Sequence, residues 1–145
     1  MSSERLTFPG AFDGLQISFI FSPIILVEWI NCFMIVTKST AYTKSEVKKL
    51  REVFDTYIKT VIDVKRKVCS AGCDRHFESE EILLKDGSYQ SDIWGGGIDL
   101  ETKIIDFNAF INIRPNDENT SSEIQDAKIR KEYEELSKYF FKNVI

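Results

Sequence analysis

Histidine occurs once in this chain, at position 76, and proline only three times. With a single imidazole and no G-x-S-x-G elbow, nucleophilic catalysis has little support. Glycine is also scarce, with seven residues, while 43% of the chain is hydrophobic. That balance argues against disorder over most of its length. The three cysteines, Cys32, Cys69 and Cys73, are odd in number and irregular in spacing. They form no disulfide framework and fit a reduced, cytoplasmic protein. Basic residues are not in excess: the net charge is −4 and the pI about 5.1. Nucleic acid is therefore not an expected partner, because phosphate binding relies on clustered Lys and Arg. The one basic run of three, Lys65-Arg66-Lys67, reads as a solvated helix face. No repeat or low-complexity tract is present. Gly95-Gly96-Gly97 lacks the following Lys-Ser/Thr pair of a phosphate loop.

What is present divides unevenly. Residues 15–36 are strongly apolar and about as long as a membrane span requires. Pro23, Glu28 and Asn31 interrupt them, and a buried charge there costs roughly 2.5–3.5 kcal/mol. Only Arg5 supplies positive charge before them, and no small-residue cleavage site follows, so a secretory signal is not indicated. Residues 1–33 read as an apolar extension, either a misplaced start or a weak anchor. Residues 34–145 read as a single globular domain, long enough to bury its own core.

Within that domain, residues 34–37 suggest a short strand. Thr43 and Glu46 have capping-box spacing. Val47, Leu50, Phe54, Tyr57, Ile58, Val61, Val64 and Val68 then recur every three or four residues, which predicts an amphipathic helix over 44–69 ending at Gly72. Residues 76–84 alternate with a period of two. His76, Glu78, Glu80, Ile82 and Leu84 would share one strand face, and Asp86-Gly87 would close a hairpin with residues 88–94. Residues 103–114 read as the best strand, ended by Pro115. Residues 116–122 are a polar loop, and Asp126 caps a last helix striped by Ile129, Tyr133, Leu136 and Phe140. The expected fold is α+β, a small antiparallel sheet of three or four strands with two long helices packed on one face, in the order β-α-β-β-β-α.

His76, Glu78 and Glu80 would then line one strand, with Asn112 and Arg114 facing them if the strands are neighbours. A neutral imidazole, tuned carboxylates and a guanidinium are instruments of acid–base catalysis and anion binding. The plainer alternative is a cross-strand pair between a glutamate and Arg114, with His76 at a solvated strand end. Asp92 and Trp94 are further ligand-binding candidates, although a Trp before three glycines more often packs into the core. Cys69, Cys73 and His76 have C-x3-C-x2-H spacing, with Glu78 as a fourth group. Zinc requires four converging ligands, and no second Cys/His pair exists. No metal and no cofactor is expected.

The stretch from His76 to Asp126 resembles a family of small bacterial and archaeal proteins known as domain of unknown function 5674. The resemblance rests on His76, Glu78 and Glu80; Leu83-Leu84 with Asp86-Gly87-Ser88; Gln90, Asp92 and Trp94-Gly95; Ile111-Asn-Ile-Arg-Pro115; Asn119 and Ser121; and Ile124-Gln-Asp126. Relatives usually carry Asp where Glu78 stands and often Pro where Ala127 stands, and they tend to begin at a residue matching Met34. The resemblance implies no known activity. The expected function is a small binding or accessory module using His76, Glu78, Glu80 and Arg114 to hold a protein or small-molecule partner. The alternative is a hydrolase-like acid–base enzyme using the same residues. Membrane association is not expected.

Overall fold

The computed structural model describes residues 35–51 and 56–145. The expectations for residues 1–33, including the weak anchor, and the place of Phe54 in a helix lie outside the described residues. Among those residues no helix is long and apolar enough to cross a membrane.

Strand β1 (Val36–Lys38) leads through a turn into α1 (Lys44–Leu50). The capping box is formed: Thr43 Oγ1 accepts from the Glu46 N–H at 3.2 Å, and Glu46 accepts from the Thr43 N–H at 2.8 Å. Strands β2 (Tyr57–Asp63) and β3 (Val68–Ala71) follow as a hairpin. The long helix expected over 44–69 is thus replaced by one short helix and two strands. Tyr57, Ile58, Thr60, Val61 and Ile62 are β-branched or aromatic and favour extended backbone. Because β2 is covered on both faces, its apolar residues do not alternate and imitate a helical spacing. Lys65-Arg66-Lys67 is the hairpin tip, with Lys67 at φ 57°. Asp63 Oδ1 accepts from the Lys65 and Arg66 N–H groups at 3.0 and 2.8 Å.

The second correction concerns residues 76–95. They form helix α2 (His76–Lys85), a 3-10 turn (Gln90–Asp92) and strand β4 (Ile93–Asp99), where a hairpin was expected. Glu, Leu and Lys are good helix formers. Ser79 and Leu83, four residues apart, are the buried positions, so the apparent period of two came from too short a stretch. Asp86-Gly87 serves as the helix stop. Gly87, at φ 102°, lets the Ser88 N–H return to the Leu83 carbonyl at 2.9 Å.

The third correction concerns residues 103–114. Only β5 (Ile105–Asp106) is strand, followed by 3-10 turns at Phe110–Asn112 and Pro115–Asp117. Helix α3 (Ala127–Phe140) starts as expected: Asp126 Oδ1 accepts from Lys128 and Ile129 N–H at 2.8 and 3.0 Å. The fold is α+β as expected, with an antiparallel sheet of five strands ordered β1-β3-β2-β4-β5. Three helices, rather than two, accompany the described strands.

The helices cover both sheet faces. Ile58, Ile62, Cys69, Trp94 and Ile98 pack against Val47 and Leu50 of α1 and Tyr133 and Phe140 of α3. Val61 and Ile93 lie on the other face beneath Leu83 of α2. Fully burying each such side chain contributes about 1.5–3 kcal/mol. The Tyr133 hydroxyl lies 2.5 Å from Thr60 Oγ1 under Gly96. A Cβ on Gly96 would fall on the Asp106 carbonyl oxygen and 2.7 Å from that hydroxyl. Gly96→Ala is therefore expected to cost about 1–3 kcal/mol by overpacking, read as a lowered urea midpoint. An unchanged midpoint would contradict this packing.

Candidate functional site

Strand β4 has a full partner on one side only. Strand β2 runs alongside it from Ile93 to Asp99, whereas β5 pairs with only Gly97 and Ile98. A buried backbone N–H or C=O without a partner is costly, so the remaining edge must be satisfied otherwise. Asn112 supplies the first substitute. Its Oδ1 accepts from the Gly95 N–H at 2.8 Å, and its Nδ2 donates to the Gly95 carbonyl at 2.9 Å. The side-chain amide thus presents the same donor and acceptor as a neighbouring peptide. Gly95 permits the approach: a Cβ there would stand 2.6 Å from Ala109 Cβ and 2.9 Å from Ile111 Cδ1.

Arg114 supplies the second. Its Nη2 donates to the Ile93 carbonyl at 2.7 Å, its Nη1 donates to the Gln90 carbonyl, and its guanidinium lies 3.9 Å from the centre of the Trp94 ring. Burial pulls its pKa below the ordinary value, opposed by Asp117, Glu80 and Asp92. Asn119 secures the segment that carries both residues. Its Nδ2 lies 2.8 Å from the carbonyls of Asn112, Ser121 and Glu123, and its Oδ1 accepts from the Gln125 N–H at 2.9 Å.

The structure separates the predicted site residues into two groups. Glu80 is on α2, where it accepts from Gln90 Nε2 at 3.3 Å. It lies with Asp92 and Asp117 in the electrostatic neighbourhood of Arg114. Beside them is a cavity of about 460 Å³ lined by Gln90, Ile113, Arg114, Pro115 and Asp117. Trp94 is buried in the core. Glu78 turns back toward the Arg75 N–H at 3.4 Å and closes the first turn of α2.

His76 belongs to the second group, beside Gly96 in the middle of β4. Its Nε2 lies 2.6 Å from the Gly96 carbonyl. A carbonyl only accepts, so this nitrogen carries the proton and Nδ1 keeps its lone pair. Tyr57, Lys59 and Asp106 surround this part of the strand. The Tyr57 hydroxyl lies against Gly97 and donates to Asp106 Oδ2 at 3.1 Å. Burial, then Asp106, raises its pKa. Lys59 donates to the Asp74 carbonyl. Burial, reinforced by Lys59, lowers the His76 pKa; Gly96 and Asp106 oppose the shift. The arrangement holds a neutral imidazole in one tautomer, with a nitrogen able to accept a proton or a hydrogen bond.

Tyr57 and Lys59 were missed from the sequence because residues 57–59 were read as helix, and Asp106 because it lay within the longer strand expected over 103–114. The only signal was the glycine run, where close approach of neighbouring groups demands a missing Cβ. Cys69 and Cys73 are free and buried, and burial pushes the Cys69 thiol up to about 12. Among the described residues no group of three or more His, Cys, Asp or Glu side chains gathers in a metal-holding arrangement.

Together these features define a small α+β domain whose central sheet edge is completed by side chains. The chain belongs to the family described as Protein of unknown function (DUF5674), whose model matches residues 34–140. Many of the residues that carry the resemblance, including Gly95, Asn112, Arg114 and Asn119, are those that satisfy this edge and the segment beside it. No curated protein and no solved structure matches the chain.

His76 is the only histidine, which isolates its titration. Its folded pKa lies below the ordinary 6.5, so the unfolded chain binds the proton more readily. The corresponding stability is fully present above pH 6.5 and is lost as pH falls from there through the folded pKa. Urea unfolding between about pH 7 and pH 5 is expected to show this decline, and His76→Gln to flatten it. An equal slope in both proteins would contradict the assignment.

Proposed function

We propose that this domain is a binding module whose partner is a protein docking against α2 and the 110–117 stretch. One observation carries the reading. Among the described residues, Phe77, Leu84, Tyr89, Phe110 and Ile113 are large hydrophobic side chains left exposed on this side, with Phe110 at 85%. All lie on α2, on the turn after it, or on the stretch whose 3-10 turn packs beside α2. Grouped exposed apolar side chains with a polar rim are characteristic of protein contact surfaces. Glu80 and the exposed Asp117 supply that rim, and the cavity beside Arg114 offers a recess for one partner side chain. His76 and Glu78 sit at the start of the same helix. Free, buried Cys69 and Cys73 are in keeping with a cytoplasmic setting.

A second reading, an acid–base enzyme, is favoured by one feature, the neutral His76 held by Gly96 beside Tyr57, Lys59 and Asp106. A turnover lost in His76→Gln at an unchanged melting temperature would move the conclusion there.

The binding reading is tested with a photo-crosslinking amino acid in place of Tyr89 in the full chain inside cells. The expected result is a discrete covalent adduct with a protein, lost when Phe110→Ser and Leu84→Ser are added. As exposed changes, each should alter stability by only about 0.5 kcal/mol. No adduct, or an adduct indifferent to both substitutions, would refute the proposed surface.

A further inference from the structure

The sheet face opposite α2 carries a groove of different character. It has a volume of about 530 Å³ and lies between α1, the turn joining β4 to β5, and the C-terminal residues. Lys44, Val47, Lys48 and Arg51 contribute from α1 and the residue that follows it, at helical spacing of i, i+3, i+4 and i+7. Lys103 faces them from the turn. Its backbone is held at φ 63°, and its Nζ donates to the Val144 carbonyl at 2.6 Å, leaving two further N–H donors on the ammonium. Val47, Leu100 and Val144 supply the apolar part of the lining.

Among the described lining residues four are basic and none is acidic, in a chain whose net charge is −4. The one acid of α1, Glu46, is engaged elsewhere, with Lys38 Nζ at 2.8 Å and the Thr43 N–H at 2.8 Å. Lys44, Lys48 and Lys103 therefore set positive charge around an apolar lining.

We infer that this groove binds a small amphipathic anion, with a carboxylate or phosphate head held by Lys48 and Lys103 and an apolar body laid on Val47, Leu100 and Val144. The volume falls within the roughly 300–1,000 Å³ of small-molecule sites. A protein partner would engage about 20–30 residues on each side, far more than the eight described residues that line the groove. Inorganic anions would use the cations and leave the apolar lining wet. Nucleic acid would need a longer basic track than this.

The test is a titration of the isotope-labelled full chain, at low ionic strength, with octanoate, octyl phosphate and inorganic phosphate, read by amide chemical shifts. Saturable shifts are expected at Val47, Lys48, Leu100 and Lys103 with at least one of the two octyl anions, the tighter of which identifies the head group. Inorganic phosphate should bind about tenfold more weakly or less, because it lacks the body. High salt should weaken binding, and Lys48→Glu should weaken it about tenfold. Lys44→Glu, also on the exposed side of α1, repeats the charge reversal should Lys48→Glu fail to fold. The proposal is overturned by an absence of saturable shifts at these residues with both octyl anions. Equal affinity for inorganic phosphate, or undiminished affinity in a folded charge-reversal variant, would also overturn it.

Discussion

The two-way hydrogen bond between the Asn112 side chain and the Gly95 peptide is the contact on which the rest of this domain depends. Strand β4 sits beside β2 along its length, but its other neighbour lasts two residues. The exposed ladder would be an open edge, and here it is closed by amide and guanidinium groups. Asn112 reproduces a peptide at Gly95, and Arg114 caps Ile93. Each substitute works only because the chain carrying it is fixed, and Asn119 does this by gathering the Asn112, Ser121 and Glu123 carbonyls around one amide. A single unsatisfied buried group costs about 1–3 kcal/mol, a large part of a small domain's stability.

This device connects the fold to its surface. Had residues 103–114 continued as a strand, their side chains would have alternated between the two covered faces. Released from the ladder, the stretch turns at Phe110–Asn112, sends Asn112 inward and leaves Phe110 and Ile113 outside beside α2. The glycines of β4 serve the same end from below. They allow Ala109 and Ile111 to approach at Gly95 and the Tyr57 ring to lie over Gly97. The inward amide and the outward apolar side chains are two consequences of one irregular segment.

What was legible in the sequence was what local chemistry decides. The capping box of α1 and the Asp126 cap of α3 involve neighbours three residues apart, and both stand in the structure. The antiparallel α+β character also followed from pattern alone. Strands β2 and β3 were hidden because burial on both faces erases alternation. Helix α2 was mistaken for a strand because nine residues with charges at 78, 80 and 81 fit either period. The importance of His76, Asn112 and Arg114 could be suspected from their types, but not their partners. Those are Gly96, Gly95 and Ile93, backbone groups 17 to 21 residues away in the chain, which no side-chain motif announces.

The most direct measurement is native-state hydrogen exchange at the Gly95 amide. That N–H points away from β2 and is bonded to the Asn112 side chain. If the side-chain amide truly replaces a strand, the Gly95 proton should exchange only through global unfolding, as slowly as the amides of β2. Exchange through local fluctuation, at the rate of a surface turn such as residues 101–103, would show that the edge is open and contradict the account.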